Sequence, residues 1–483
     1  MTNYLLTFCF VLITNFSFSQ QSKIDSLLSL LKTDKPDTNK IEHLNELAWE
    51  ISYSNPDTAM ILSKQALQLA INILNESEKK WDNSEIKEAM QTSIGQCYHQ
   101  IATFHTDKGE YFLALQFFQK ALDVWEQLEN SITPQSGKYS NEETIKRKEK
   151  YKNKKAATYG NIGNVYAQQG DYPKTLEYYF KALKIGEETK DENRIAIQLG
   201  NIGLVFFYQK DYRKALDYYF KALKIKEDIK DNTGITATIM NIAEVYKVQG
   251  DYSKALDYNF KALKMSEDLG NKSYVATVFG NLGTIYDEQK NYSKALDYYF
   301  KALKIDEDIG NKNGIARHNN NIGYTYYSIK KYSEAEKFYL KAITIANEIG
   351  SFPQIQNLSE NLSDLYTDIG NYKKALEHYK IASAAKDTLL NVNQNKEITR
   401  RELNYEFEKK EAAAKAEQEK KDLKKDLITG FSLIGLILML AFVWFAFRSL
   451  RVSTKQTFLI IAKFLNSFFS RPKIFRNKGK TDF

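Results

Sequence analysis

Residues 160–199 read GNIGNVYAQQGDYPKTLEYYFKALKIGEETKDENRIAIQL, and residues 200–239 read GNIGLVFFYQKDYRKALDYYFKALKIKEDIKDNTGITATI. The second block is the first moved along by 40 residues, and further copies begin at Met240, Gly280, Asn320 and Glu360. Within a copy, apolar residues recur at helical spacing on both sides of a short Gly/Lys–Asp/Asn–Tyr turn, so each unit holds two amphipathic helices. One such hairpin cannot bury its apolar face alone. Its neighbours must stack against it. The expected fold is therefore all-α: a stacked array of helical hairpins.

The pattern resembles the tetratricopeptide repeat over most of residues 41–390. In the first clear copy Gly163, Tyr166, Gly170, Tyr179 and Ala182 stand where that family places its small and aromatic residues. Thr175 replaces the usual second-helix alanine, which returns as Ala215, Ala255, Ala295, Ala335 and Ala375. Small residues let crossing helices approach, and large aromatics fill the space beside them. Two weaker copies precede, one with Ala102, Gly109, Ala114, Phe118 and Ala121, the other from about Asn45 to Ala70. The resemblance implies a superhelix of about eight units: two degenerate ones in 41–138, an insertion and lead-in helix in 139–159, and six of 40 residues in 160–390. The residues beyond the family's usual length are expected to lengthen the helices and leave a loop such as DNTG or GNKN.

In such a superhelix the first helices line a concave groove. The residue before the Ile/Leu–Gly pair is asparagine in every strong copy: Asn161, Asn201, Asn241, Asn281, Asn321 and Asn361. By resemblance this position faces the groove, and some members of the family grip a peptide backbone with such a ladder. A carboxamide offers one acceptor and two donors, enough to clip both the C=O and the N–H of an extended chain. Specificity would come from neighbours that vary, Asn164, Leu204, Glu244, Thr284, Tyr324 and Asp364, then Ala167, Phe207, Lys247, Asp287, Tyr327 and Thr367. The alternative is that the asparagines bond to the adjacent helix and hold the repeats in register. The YYFKALKI aromatics, Tyr179, Tyr219 and Tyr299 among them, read as core between helix pairs.

Outside the repeats the chain changes character. Residues 4–18 form a short apolar stretch ending in Ser17–Phe18–Ser19, which reads as a secretory signal occupying 1–19; an uncleaved anchor is the alternative. Residues 391–426 are charged and alanine-rich, and should form one long helix, either a dimeric coiled-coil stalk joining two copies or a single solvated helix. Leu427–Phe447 carries no charge over 21 residues. At 1.5 Å per residue that is about 31 Å, enough for one transmembrane helix. The basic tail, 448–483, holds nine of the 68 Lys and Arg residues and one of the 60 Asp and Glu, leaving 59 of each in the rest. A neutral array argues against nucleic acid as a partner. Tail residues Phe458, Leu459, Ile460, Ile461, Phe464, Leu465, Phe468 and Phe469 could lie on anionic lipid.

An exported repeat array, a charged helix and one span together resemble the front half of bacterial membrane sensors of the histidine kinase type. That resemblance implies the inner membrane, with the array outside the cytoplasm and the tail inside. The 36-residue tail departs from it, having neither a phospho-acceptor helix nor a glycine-rich nucleotide motif. The two cysteines, Cys9 and Cys97, and the five scattered histidines form no metal-ligand spacing. No catalytic constellation or phosphate loop can be assembled, so the expected role is binding of a protein or peptide, without enzymatic activity or cofactor. The weighed alternatives are a structural scaffold of an envelope complex and a truncated sensor kinase.

Overall fold

The computed structural model describes residues 22–52, 55–80, 84–132 and 140–388, together with scattered helical positions between 416 and 466. The repeats lie in the first of two compact units, Met1–Arg400 and Arg401–Phe483. An N-terminal helix α1 (22–33) precedes a series of antiparallel pairs. These are α2 (Thr38–Glu50) with α3 (Pro56–Lys80), α4 (Ser84–Asp107) with α5 (Tyr111–Ser131), and α6 (Asn141–Gln168) with α7 (Tyr172–Thr189). Four more follow: α8 (Glu192–Tyr208) with α9 (Tyr212–Asp228), α10 (Asn232–Val248) with α11 (Tyr252–Asp268), α12 (Lys272–Glu288) with α13 (Tyr292–Ile309), and α14 (Lys312–Ser328) with α15 (Tyr332–Ile349). Helix α16 (Phe352–Asp368) and α17 (372–388) close the array. The expected lead-in helix is continuous with the first helix of its unit, since α6 runs unbroken for 28 residues.

The 40-residue period is built from two halves of 20. Asp171, Asp191, Asp211, Asp231, Asp251, Asn271, Asn291 and Asn311 each cap a helix, accepting from the backbone N–H three residues on. Each such cap is worth about 1 kcal/mol. DNTG is therefore not a loop, and GNKN is one only at Gly310 and Asn311. Asp231 and Asn311 are caps, and the residues after them form the first turns of α10 and α14. Just before every one of these caps the chain passes through the left-handed region, with Gly170, Gly250, Gly270 and Gly310 at φ 65–78° but Lys190, Lys210, Lys230 and Lys290 at 54–62°. A β-carbon there costs about 1–2 kcal/mol. Lys290→Gly is expected to raise unfolding stability by about 1 kcal/mol in a denaturant titration; no gain would mean the lysine is not strained.

Packing within a hairpin turns on one close crossing. A β-carbon added to Gly203 would lie 2.8 Å from the ring of Tyr219, and additions at Gly163, Gly283 and Gly323 would meet Tyr179, Tyr299 and Tyr339 at 2.5–2.7 Å. These four tyrosines are at most 4% exposed, so they are core as the sequence indicates. The unit of α10 and α11 has Ala243 in place of the glycine and Asn259 in place of the tyrosine, both buried. Where the β-carbon is present, the ring is gone. The aromatic one residue earlier, Tyr178, Tyr218 or Tyr298, stacks across the hairpin on Tyr166, Phe206 or Tyr286 at 5.4–5.6 Å. The third, Phe180, Phe220, Phe260 or Phe300, points outward at about 40% exposure.

No helix among the described residues is long and apolar enough to cross a membrane. The expected span at 427–447 falls mostly outside them; its described positions, Leu427, Gly430, Gly435, Leu438, Ala441 and Trp444, are helical. Residues 1–19 lie outside the described residues, as do most of the 391–426 helix and most of the tail.

Candidate functional site

First helices of successive units touch one another, α2 with α4, α4 with α6, α8 with α10, α10 with α12, α12 with α14 and α14 with α16. No pair of second helices makes a comparable contact among the described residues, so the first helices lie on the inside of the curve. The six asparagines sit on these inner helices. Asn241 is exposed and the other five half-buried.

They are not equivalent. At the N-terminal end the Asn161 amide donates to His99 Nε2 at 3.0 Å. At the C-terminal end Asn361 donates to Asn320 Oδ1 at 2.9 Å. Between them, the side chains of Asn201, Asn241, Asn281 and Asn321 make no hydrogen bond among the described residues. Among the described residues none of the six bonds to the backbone of a neighbouring helix. The register-holding alternative thus describes the two ends of the row, through side chains, and leaves four open carboxamides in the middle.

Asn161 is fixed by a relay that the sequence does not reveal, because its members are 62 and 59 residues apart. Thr158 Oγ1 donates to the Lys154 carbonyl and so accepts from His99 Nδ1–H at 3.0 Å, leaving Nε2 as an acceptor for Asn161. This requires a neutral imidazole. Burial, and secondarily the Lys154 charge, hold its pKa at about 4 against an ordinary 6.5. The unfolded chain takes up this proton below 6.5 while the folded one refuses it until about 4. The stabilisation is complete above 6.5 and is lost as the pH falls through that window, by on the order of 3 kcal/mol. Burial lowers His318 and His378 in the same direction. Melting temperature is expected to fall between pH 7 and pH 4.5, less steeply for His99→Gln; an equal slope in the variant removes His99 from the account.

Several of the variable neighbours are already engaged. Asn164 accepts from the buried Tyr179 hydroxyl at 2.6 Å and Thr284 from Tyr299 at 3.2 Å. Glu244 pairs with Lys247 at 2.7 Å. Asp287 accepts from Thr325 at 2.8 Å, and its carboxyl is pushed up by burial. Tyr327 donates to Asp368 at 2.7 Å. Leu204, Tyr208, Tyr324 and Ile197 are exposed by 38–59%. A hollow of about 230 Å³ between α6 and α8 is lined by Asn161, Asn164, Ile197 and Asn201 among others. The chemistry here is hydrogen bonding beside apolar surface. Among the described residues no group of His, Cys, Asp or Glu is placed to hold a metal ion.

Family models described as tetratricopeptide repeat match residues 154–228, 235–308 and 310–387, and a second such model matches 95–134, together more than half of the chain. The chain belongs to the tetratricopeptide repeat family. No curated protein matches it. Solved structures similar to this tetratricopeptide repeat protein include a Signal Transduction ATPase with Numerous Domains from Pyrococcus horikoshii that carries a tetratricopeptide repeat sensor (18% identity, covering 78% of this chain and 54% of that one, TM-score 0.47). Another is aspartyl phosphate phosphatase F from Bacillus subtilis (14%, 76% and 94%, 0.47). A third is the Rap conjugation gene regulator of plasmid pLS20 in complex with the Phr* peptide (15%, 77% and 96%, 0.44). At these identities the likeness is one of fold.

Proposed function

We propose that this tetratricopeptide repeat protein binds a protein or peptide in extended form along its inner groove. The observation that carries the reading is the row of open carboxamides, Asn201, Asn241, Asn281 and Asn321, at a constant spacing of 40 residues on successive inner helices. A constant backbone grip beside side chains that differ from unit to unit suits recognition of a polypeptide. Its setting is a single-pass anchor in a bacterial inner membrane, with the array outside the cytoplasm. That part rests on the apolar stretches at 4–18 and 427–447 and gives the protein a sensor-like or adaptor role.

The test is affinity capture from solubilised membranes with the full-length protein and with a variant whose middle carboxamides are removed. A partner lost by the variant supports the groove; one retained moves binding to another face. The preceding fractionation reads the anchor, because full-length protein found in the soluble fraction would rule out the membrane setting.

A further inference from the structure

At the N-terminal end of the groove, α1, α2, α4 and α6 border an open cavity of about 580 Å³. Its polar lining is one-sided. On the inner wall the Gln100 amide nitrogen donates to the Asn45 carbonyl at 2.8 Å, Thr103 Oγ1 donates to the His99 carbonyl at 3.1 Å, and the Asn161 amide is spent on His99. His99 spends its own N–H on Thr158. Apart from the exposed Gln96 amide, each donor group of this wall is engaged, and acceptors remain. Gln100 is 9% exposed, yet no hydrogen bond from the described residues reaches its carbonyl oxygen.

The opposite wall adds charge. Glu42, Glu46 and Glu50 recur every four residues along one face of α2 and all line the cavity. Against three carboxylates the lining holds one ammonium, Lys23 of α1, 2.6 Å from Glu50. That hydrogen bond is the first cause of a raised Lys23 pKa. Trp49 stands beside it, 53% exposed, with its ring stacked on Phe104 at 6.4 Å. Indole faces attract desolvated cations. Acceptors, carboxylates and an open indole suit a group that is all donor and positively charged, an ammonium or guanidinium.

We infer that this cavity takes a lysine or arginine side chain of the polypeptide lying in the groove, and that Lys23 is a built-in competitor occupying part of the same site. The inference rests on the groove reading and adds to it the class of residue recognised at the N-terminal end.

The test uses full-length protein and a fluorescein-labelled Gly-Lys-Gly amide, followed by anisotropy. The lysine probe is expected to bind at least 10-fold more tightly than its Nε-acetyl form. The Glu42→Gln/Glu46→Gln pair and Trp49→Ala should each weaken it at least 10-fold, with unchanged circular dichroism. Lys23→Ala should tighten binding several-fold, while Lys32→Ala, on the same helix but outside the cavity lining, should leave it unchanged. Equal affinity for the acetylated probe overturns the inference, as does an equal effect of the two lysine substitutions, which would reduce it to overall charge. Cadaverine displacing the probe at the same concentration as unlabelled Gly-Lys-Gly amide would make the ligand a free amine and overturn the polypeptide assignment. Removing the middle carboxamides leaves this short probe bound, so failure of the groove and failure of the cavity are read separately.

Discussion

Replacing Asn201, Asn241 and Asn281 together by alanine is expected to weaken partner capture by roughly two to three orders of magnitude with no change in helicity or melting temperature. Each carboxamide can give and accept a hydrogen bond with an extended backbone, at a net worth of about 0.5–1.5 kcal/mol per bond. Three rungs make six such bonds, about 3–9 kcal/mol in all; every 1.4 kcal/mol is tenfold in affinity, so the expected loss corresponds to the lower part of that range. Stability should be spared because these side chains hold nothing else among the described residues. Asn161 and Asn361 behave differently. They are tied to His99 and Asn320, so alanine at either end should cost stability as well. A triple variant that melts early but captures normally would reverse the assignment of ladder and ends.

The second large effect concerns the crossing. Gly203→Ala places a methyl group 2.8 Å from the Tyr219 ring and 3.3 Å from the Ala215 carbonyl oxygen. Overpacking of this kind costs about 1–3 kcal/mol. Adding Tyr219→Asn should recover part of the loss, because the unit of α10 and α11 already carries that combination as Ala243 and Asn259, the latter bonded to the Ala255 carbonyl at 2.8 Å. Tyr219→Asn alone should be destabilising through the hollow it leaves. Denaturant titration of the two single variants and the double gives the coupling between the positions. Strict additivity would mean that the backbone has shifted and that the ring and methyl never meet.

The period, the all-helical class and the buried tyrosines are legible in the sequence, because each depends on spacing within one unit. The phase of the hairpins is not. Gly234 ends DNTG and Gly314 follows GNKN, and both make these stretches read as loops, but both glycines lie in first turns. A β-carbon there would fall 2.0 Å from the carboxylates of Asp231 and Asp306. The glycines make room for a cap and for a buried acid, which composition cannot distinguish from a bend. In the same way six identical asparagines read as six identical rungs. Their differences arise from His99 and Asn320, brought in by the stacking of other units. Contacts between units carry the function, and they are what a repeat-by-repeat reading cannot weigh.

The paired identity at the crossing also constrains how the gene can change. Near-identical repeats recombine with one another, and an exchange is silent in protein terms only if it preserves local fit. The two crossing positions are 16 residues apart, as Gly203 and Tyr219 or as Ala243 and Asn259. An exchange ending inside that interval would unite alanine with tyrosine, which collide, or glycine with asparagine, which leave a void. Exchanges among the units that keep glycine and tyrosine carry no such penalty, nor does transfer of a whole unit. By this criterion the array can gain or lose complete hairpins, while residues 243–259 must be inherited together.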